Sequence, residues 1–305
     1  MDTNYGVMHY INDIRHKIAI AYGDDTLCQQ YAWWILQAIC GKTKTELISG
    51  DTVMLTSQQK STIDRWVYEL VYDKKPLQYI LGSVPFNDCD ILVEPPTLIP
   101  RPETEEWCFH LIEFLRLLEN AKIKILDLCA GSGCIAIALA RHLPLAEIVA
   151  TDIVDAAIEL IEKNIEHNKV IHVTPIKSNL FESIPIGMLF DLIVSNPPYI
   201  TATEYGELDE SVMRWEDRRA LMAADDGLAI IKKIIVQAPQ FIQINEEMKR
   251  KNIPQVVIEI GYAQGAVVRK LMNAAGYNDV LVHKDLEGKD RFVAGRVDYV
   301  AHSRS

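Results

Sequence analysis

"ILDLCAGSGCIAIALA", residues 125–140, reads as a strand, a loop of small residues and the start of a helix. Ile125, Leu126 and Leu128 give the apolar density of a buried strand, and Asp127 ends it. Gly131 and Gly133 let the backbone turn tightly and come close to a ligand, and the unpaired amides at the helix start can take polar or anionic groups. The same residues satisfy the G-x-G-x-x-A form of a dinucleotide fingerprint, so the loop alone leaves a nicotinamide cofactor open. A strand that feeds a helix through a glycine loop is half of a βαβ unit. If the pattern repeats, the chain is an α/β protein with a parallel sheet.

The pattern repeats. Strands are expected at 122–128, 146–151, 172–177, 189–195 and 255–260, and helices at 134–142, 154–167, 227–248 and 264–275. Two last strands, 278–284 and 290–297, have no helix between them and are expected to pair antiparallel. The predicted fold is therefore α/β and Rossmann-like, a seven-stranded mixed sheet with its last strand antiparallel and ligands at the carboxyl ends of the strands.

Upstream, the period changes. Ile11, Ile14 and Ile18, then Leu27, Tyr31, Trp34, Ile35 and Ala38, then Ile63, Val67, Leu70 and Val71 recur at helical spacing. A small domain of about four helices is expected there, with 45–55 a shorter helix and turn. Trp33, Trp34 and Trp66 are expected as core or interface anchors. Residues 74–101 alternate β-like pieces with Pro and Gly, as a connector packed on the next domain does. Pro102, followed by Glu103, Glu105 and Glu106, marks a helix start. The expected division is 1–74 as a helical bundle, 75–101 as a connector with a short β hairpin, and 102–305 as the catalytic domain.

Composition narrows the chemistry. The 305 residues are 49% hydrophobic, enough for a large core, and the net charge of -11 opposes a general nucleic-acid binder. The six cysteines form no CxxC pair and no zinc spacing, which favours reduced thiols, no metal and a cytoplasmic protein. The N-terminus lacks an apolar signal region, and the longest clean apolar run, 134–140, is far too short to span a membrane.

Two strand ends carry the chemistry. Asp152 ends the second strand, roughly 20 residues beyond the glycines, where a carboxylate can accept both hydroxyls of a ribose or cap the next helix. "SNPPYI" (195–200) ends the fourth, continuously apolar strand, so Asn196 emerges beside the glycine loop. Pro197 and Pro198 fix φ and remove two N–H donors, leaving a backbone that presents carbonyls. A planar NH2 group entering here would find the Asn196 side-chain oxygen and the Pro197 carbonyl as acceptors, with Tyr199 walling one face. An amide nitrogen is a poor nucleophile, and two acceptors on its hydrogens would return electron density to it and aim its lone pair.

Together, "KPLQYILG" (75–82), "LIPRPETEE" (98–106), the glycine loop, "TDI" (151–153), "SNPPYI", "DGL" (226–228), "IEIG" (258–261) and "KDLEGKDRFVAGR" (284–296) resemble the PrmC/HemK family of protein-(glutamine-N5) methyltransferases. The resemblance implies a class I S-adenosylmethionine-dependent methyltransferase acting on the Gly-Gly-Gln motif of class 1 peptide-chain release factors. It implies that Cys129, Ala130, Gly131, Ser132 and Gly133 surround the methionine part of the cofactor, that Asp152 holds ribose, and that Asn179 and Leu180 neighbour adenine. Asn196, Pro197, Pro198 and Tyr199 would hold the glutamine amide, with Asn196 also next to the reactive end of the cofactor. Residues 1–74 and the connector would help grip the release factor. A monomer is expected, with no membrane partner and no nucleic-acid substrate.

Three positions depart from the family pattern. Asn179 stands where Asp is usual, Asp217 in "RWEDRRAL" (214–221) where a Glu-Pro pair is common, and Cys129 where glycine is frequent. Other readings of the same residues are a ribosomal-protein glutamine methyltransferase, an adenine-N6 nucleic-acid methyltransferase and a nicotinamide-dependent oxidoreductase. A binding protein that had lost catalysis would show decay at Gly131, Gly133, Asp152 or Asn196, and all four are intact.

Overall fold

The computed structural model describes residues 5–50, 52–118 and 122–297. It divides into two compact units: one runs to Gly82 and takes in Asp209–Trp215, the other comprises Ser83–Leu208 and Glu216 onward.

The first unit is built on helices Val7–Ile18, Asp25–Cys40, Lys44–Ser49, Ser57–Val71 and Leu77–Leu81. The three middle helices start where side chains satisfy the first free amides: Asp24 accepts from Thr26 and Leu27, and Thr43 with Glu46 and Thr56 with Gln59 close capping boxes. Strands β1 (Tyr5–Gly6) and β2 (Thr52–Val53) pair antiparallel. Ile11, Ile14, Ile18, Leu36 and Leu70 meet in the core, and Trp66 packs against it partly buried. Trp34 departs from expectation. It is 37% exposed and stacks on Tyr31, because Ala32, Ile35 and Leu36 set the inward stripe and Trp33 supplies the buried ring.

In the second unit, β3 (Ser83–Phe86) and β4 (Cys89–Leu92) form an antiparallel hairpin. A seven-stranded sheet follows: β5 (Lys124–Leu128), β6 (Glu147–Asp152), β7 (Val173–Lys177), β8 (Leu192–Ser195), β9 (Val256–Glu259), β10 (Asn278–Lys284) and β11 (Asp290–Arg296). Their order is β10-β11-β9-β8-β5-β6-β7, and only β11 runs against its neighbours. The mixed sheet with an antiparallel last strand is thus present. The chain leaves β5 toward β6 and β7, then returns to β8 on the other side of β5, so the switch point of the sheet lies between β5 and β8.

The expected helix 227–248 is broken. It resolves into Ala229–Gln237, a 3-10 turn Ala238–Gln240 and Glu246–Arg250, because Pro239 cannot donate to the helical ladder. The fourth strand also starts later than expected, at Leu192, with Phe190 held by an isolated bridge to Ile242. No helix among the described residues is long and apolar enough to cross a membrane.

Candidate active site

Pairing aligns the carboxyl ends of the central strands. Leu128 lies opposite Thr151 on one side and Ser195 on the other, and Ser195 lies opposite Ile258. One residue further on, Asp152, Cys129, Asn196 and Glu259 therefore form a row across the top of the sheet, and the Ser195 hydroxyl ties β8 to β5 by donating to the Leu128 carbonyl at 2.8 Å. A cavity of about 260 Å³ opens at this switch point. Its wall includes Cys129, Ala130, Gly131, Ser132, Asp152, Asn179, Leu180, Asn196 and Pro198 from the sequence reading. Gly133, Pro197 and Tyr199 are not on that wall.

Backbone strain shapes the loop. Cys129, Gly131 and Gly133 all have left-handed φ, at 58°, 56° and 79°. For Cys129 this explains why glycine is the frequent residue there, since a side chain in that region costs about 1–2 kcal/mol. Gly133 caps the helix Cys134–His142, and a Cβ on it would come within 3.1 Å of Ile161, so its bareness serves helix packing rather than the cavity. Asp152 holds the loop and the turn ahead of the next helix: Oδ2 accepts the Gly131 amide at 2.9 Å and Oδ1 the Val154 amide at 3.0 Å, while the helix Asp155–Asn168 itself starts at Val154 without a side-chain cap. Burial pushes this carboxyl up, while the amides of Val154, Gly131 and Ile153 act the other way. Asn179 donates through Nδ2 to Glu182 at 2.8 Å, which leaves its Oδ1 as an acceptor.

Asn196 is held from behind. Its Nδ2 donates to Thr104 Oγ1 at 3.1 Å, Thr104 donates to Glu259 Oε2 at 2.7 Å, and Trp107 Nε1 donates to the same oxygen at 2.7 Å. The Tyr199 hydroxyl donates to Glu259 Oε1 at 3.2 Å, and burial raises that phenol well above its usual range. Glu259 is fully buried, and desolvation raises its pKa against the pull of Trp107 and Thr104. The Tyr199 carbonyl is clamped by Gln264 Nε2 at 3.0 Å, which also donates to the Asp226 carbonyl at 3.2 Å.

The Asp217 departure has a local solution. Glu216 keeps an ion pair with Arg101, whose Nη2 reaches both carboxylate oxygens at 2.8 and 2.7 Å. Asp217, which unlike proline has an N–H, donates it to the Pro96 carbonyl at 2.7 Å and caps Arg218–Leu221 through its side chain. Sequence reasoning missed Thr104, Leu98, Pro100, Ile153, Arg219 and Ile230 on the cavity wall. "LIPRPETEE" was available as a signal, but nothing in it says that Thr104 meets a residue 92 positions away.

Asp127, beneath the loop, is fully buried; Oδ2 accepts the Ala136 amide at 3.2 Å and Oδ1 has no partner among the described residues. Burial lifts its pKa from 3.8 to about 8, the Ala136 amide opposing and the Asp152 charge adding. Between those values the unfolded chain has lost the proton and the folded chain has kept it, so this contribution to stability drains away as pH climbs and is gone above about 8. Asp127→Asn removes the slope. Denaturant titrations from pH 5 to 9 should show the variant gaining on the parent by up to about 1.4 kcal/mol per pH unit below about pH 8, and parallel curves would refute the assignment.

Two family models match the chain, PrmC N-terminal domain over residues 28–82 and methyltransferase small domain over 111–215. Release factor glutamine methyltransferase of Flavobacterium psychrophilum is 33% identical over 272 residues, 88% of this chain and 92% of that one. The protein of the same name from Lactococcus lactis is 39% identical over 232 residues, 75% and 80% of the two chains. That from Salmonella typhimurium is 34% identical over 297 residues, 97% and 99%.

Proposed function

Because this chain belongs to the release factor glutamine methyltransferase family, we propose that it transfers a methyl group from S-adenosylmethionine to the side-chain amide nitrogen (N5) of the glutamine in the Gly-Gly-Gln motif of class 1 peptide-chain release factors. The observation that carries this reading is the cavity at the switch point, which has the glycine loop of β5 on one side and Asn196, with its amide nitrogen already engaged, on the other.

The cavity fits the cofactor. Left-handed backbone at Cys129 and Gly131 brings main chain close, Leu180 and Ile153 offer apolar cover, and Asp152 retains lone pairs beyond those used by two amides. In this reading Cys129, Ala130, Gly131 and Ser132 surround the methionine part, with Gly133 setting the helix start behind them, Asp152 accepts the ribose hydroxyls, and Asn179 Oδ1 accepts from the adenine amino group beside Leu180. When bound, S-adenosylmethionine supplies an electrophilic methyl on a sulfonium centre. The chain's own residues present the nucleophile: Asn196 Oδ1 and the Pro197 carbonyl each accept a hydrogen of the glutamine amide, and Pro198 and Tyr199 confine its plane. Alignment of this kind can supply roughly 7–11 kcal/mol of a barrier without a covalent intermediate; as the N–CH3 bond forms and the sulfonium–methyl bond breaks, the nitrogen releases one N–H proton to solvent, and no residue is assigned as a general base.

Residues 1–74 and the connector 75–101 are proposed to help grip the release factor, and the protein to act as a monomer in the cytoplasm, where its substrate works. Incubation with labelled S-adenosylmethionine and a panel of release factor, ribosomal protein and duplex DNA tests the reading. Label is expected on the release-factor glutamine. Label on ribosomal protein or DNA alone overturns it, as does calorimetric binding of NAD in preference to S-adenosylhomocysteine.

A further inference from the structure

An asparagine side chain has two nearly isosteric ends, and only its oxygen can receive an incoming NH2 group. A site that binds an amide through Asn196 therefore has to fix which end faces the cavity. We infer that Thr104 is a positioning residue for methyl transfer: its hydroxyl, polarised by the buried Glu259, locks the Asn196 amide with nitrogen inward and oxygen toward the substrate. This rests on the glutamine-methylation reading given above.

The polarity follows from donor and acceptor counting. A threonine hydroxyl has one hydrogen and two lone pairs. Thr104 gives its hydrogen to Glu259 Oε2 at 2.7 Å, so what it turns toward Asn196, at 3.1 Å, is a lone pair. Asn196 can meet a lone pair only with Nδ2. Trp107 Nε1, which has no acceptor capacity, occupies the same Oε2 at 2.7 Å and keeps that oxygen an acceptor. With the Thr104 hydroxyl, the Trp107 indole and the Tyr199 phenol all directed at it, Glu259 serves as the common acceptor, and that sets the direction of the chain. Tyr199 hangs on Oε1 of the same carboxylate, so the acceptor and the wall of the amide site share one buried support. Thr104 is 1% exposed and Glu259 fully buried, and neither has water to replace the bonds. Thr104 also lines the cavity in which Asn196 lies.

A residue that merely fills space at 104 could be exchanged for valine, which keeps its shape and drops the hydroxyl. The test compares wild type, Thr104→Val, Thr104→Ser and Glu259→Gln for kcat and KM on a release factor, S-adenosylhomocysteine affinity by calorimetry, and melting temperature. Thr104→Val is expected to lose about 10- to 100-fold in kcat, the range for one lost hydrogen bond, with cofactor affinity close to wild type and a lowered melting temperature, because two buried hydrogen bonds go with the hydroxyl. Thr104→Ser should recover most of that rate. Glu259→Gln should be the milder change, because a glutamine carbonyl in place of Oε2 still accepts from Thr104 and Trp107 while its NH2 turns to the Tyr199 oxygen.

Thr104→Val at wild-type kcat overturns the inference, and so does Thr104→Ser as slow as Thr104→Val, which would mean that the methyl packing matters instead. Glu259→Gln slower than Thr104→Val also overturns it, since that is the signature of a general base. If Thr104→Val fails to fold, the serine and glutamine variants still decide. A wild-type protein that labels no release factor brings down the functional reading itself, a distinct result.

Discussion

Asn196→Ala is expected to slow methyl transfer to a release factor by about a thousandfold, the upper range for removing one preorganised group from a reacting centre, while S-adenosylhomocysteine binding weakens by less than about tenfold. The two effects separate because Asn196 stands in the row between Cys129 and Glu259, on the side of the cavity proposed to receive the substrate, whereas the glycine loop and Asp152 line its other side. Alanine removes the proposed acceptor of the substrate amide hydrogen, and it also strands the Thr104 lone pair in a buried setting. The Pro197 carbonyl remains but cannot orient a planar group alone. Single-turnover rates and calorimetry on the same variant check this directly. Full activity would remove the two-acceptor mechanism from consideration.

Sequence patterning revealed the α/β frame because a glycine loop after a strand, a run of alternating elements and a change of period upstream are all local signals. The row of Asp152, Cys129, Asn196 and Glu259 was partly legible for the same reason: three of the four follow recognisable strand ends. Glu259 and Thr104 were not, since their importance lies in a hydrogen-bond chain joining residues 155 positions apart. No spacing rule reports such a pair. The break in 227–248 was written in Pro239 but lost to the apolar run around it, where Ile231, Ile234 and Ile235 are buried to 1% or less. Trp34 shows the opposite error, a ring counted into the apolar stripe by its spacing, although Ala32, Ile35 and Leu36 define the buried face.

Gly227→Ala is expected to destabilise the protein by about 3 kcal/mol and to depress kcat even where the variant is folded. Gly227 has φ 79°, a region where a Cβ costs about 1–2 kcal/mol by itself. Here the added carbon would also lie 2.0 Å from the Tyr199 carbonyl oxygen and 2.6 Å from Gln264 Nε2. Neither neighbour can step aside freely, because Gln264 is the clamp that holds the Tyr199 carbonyl and the Asp226 carbonyl together. Relief requires moving main chain at Tyr199, two residues from the Pro197 carbonyl that is proposed to accept an amide hydrogen. Gly276 provides the control: its φ is 85°, and a Cβ there would meet nothing within 4 Å. Gly276→Ala should therefore show the conformational cost alone, about 1–2 kcal/mol, with kcat unchanged. Denaturant midpoints and kcat for the pair separate strain from collision, and a Gly227→Ala protein indistinguishable from Gly276→Ala in both would show that the "DGL" turn has no part in holding the amide site.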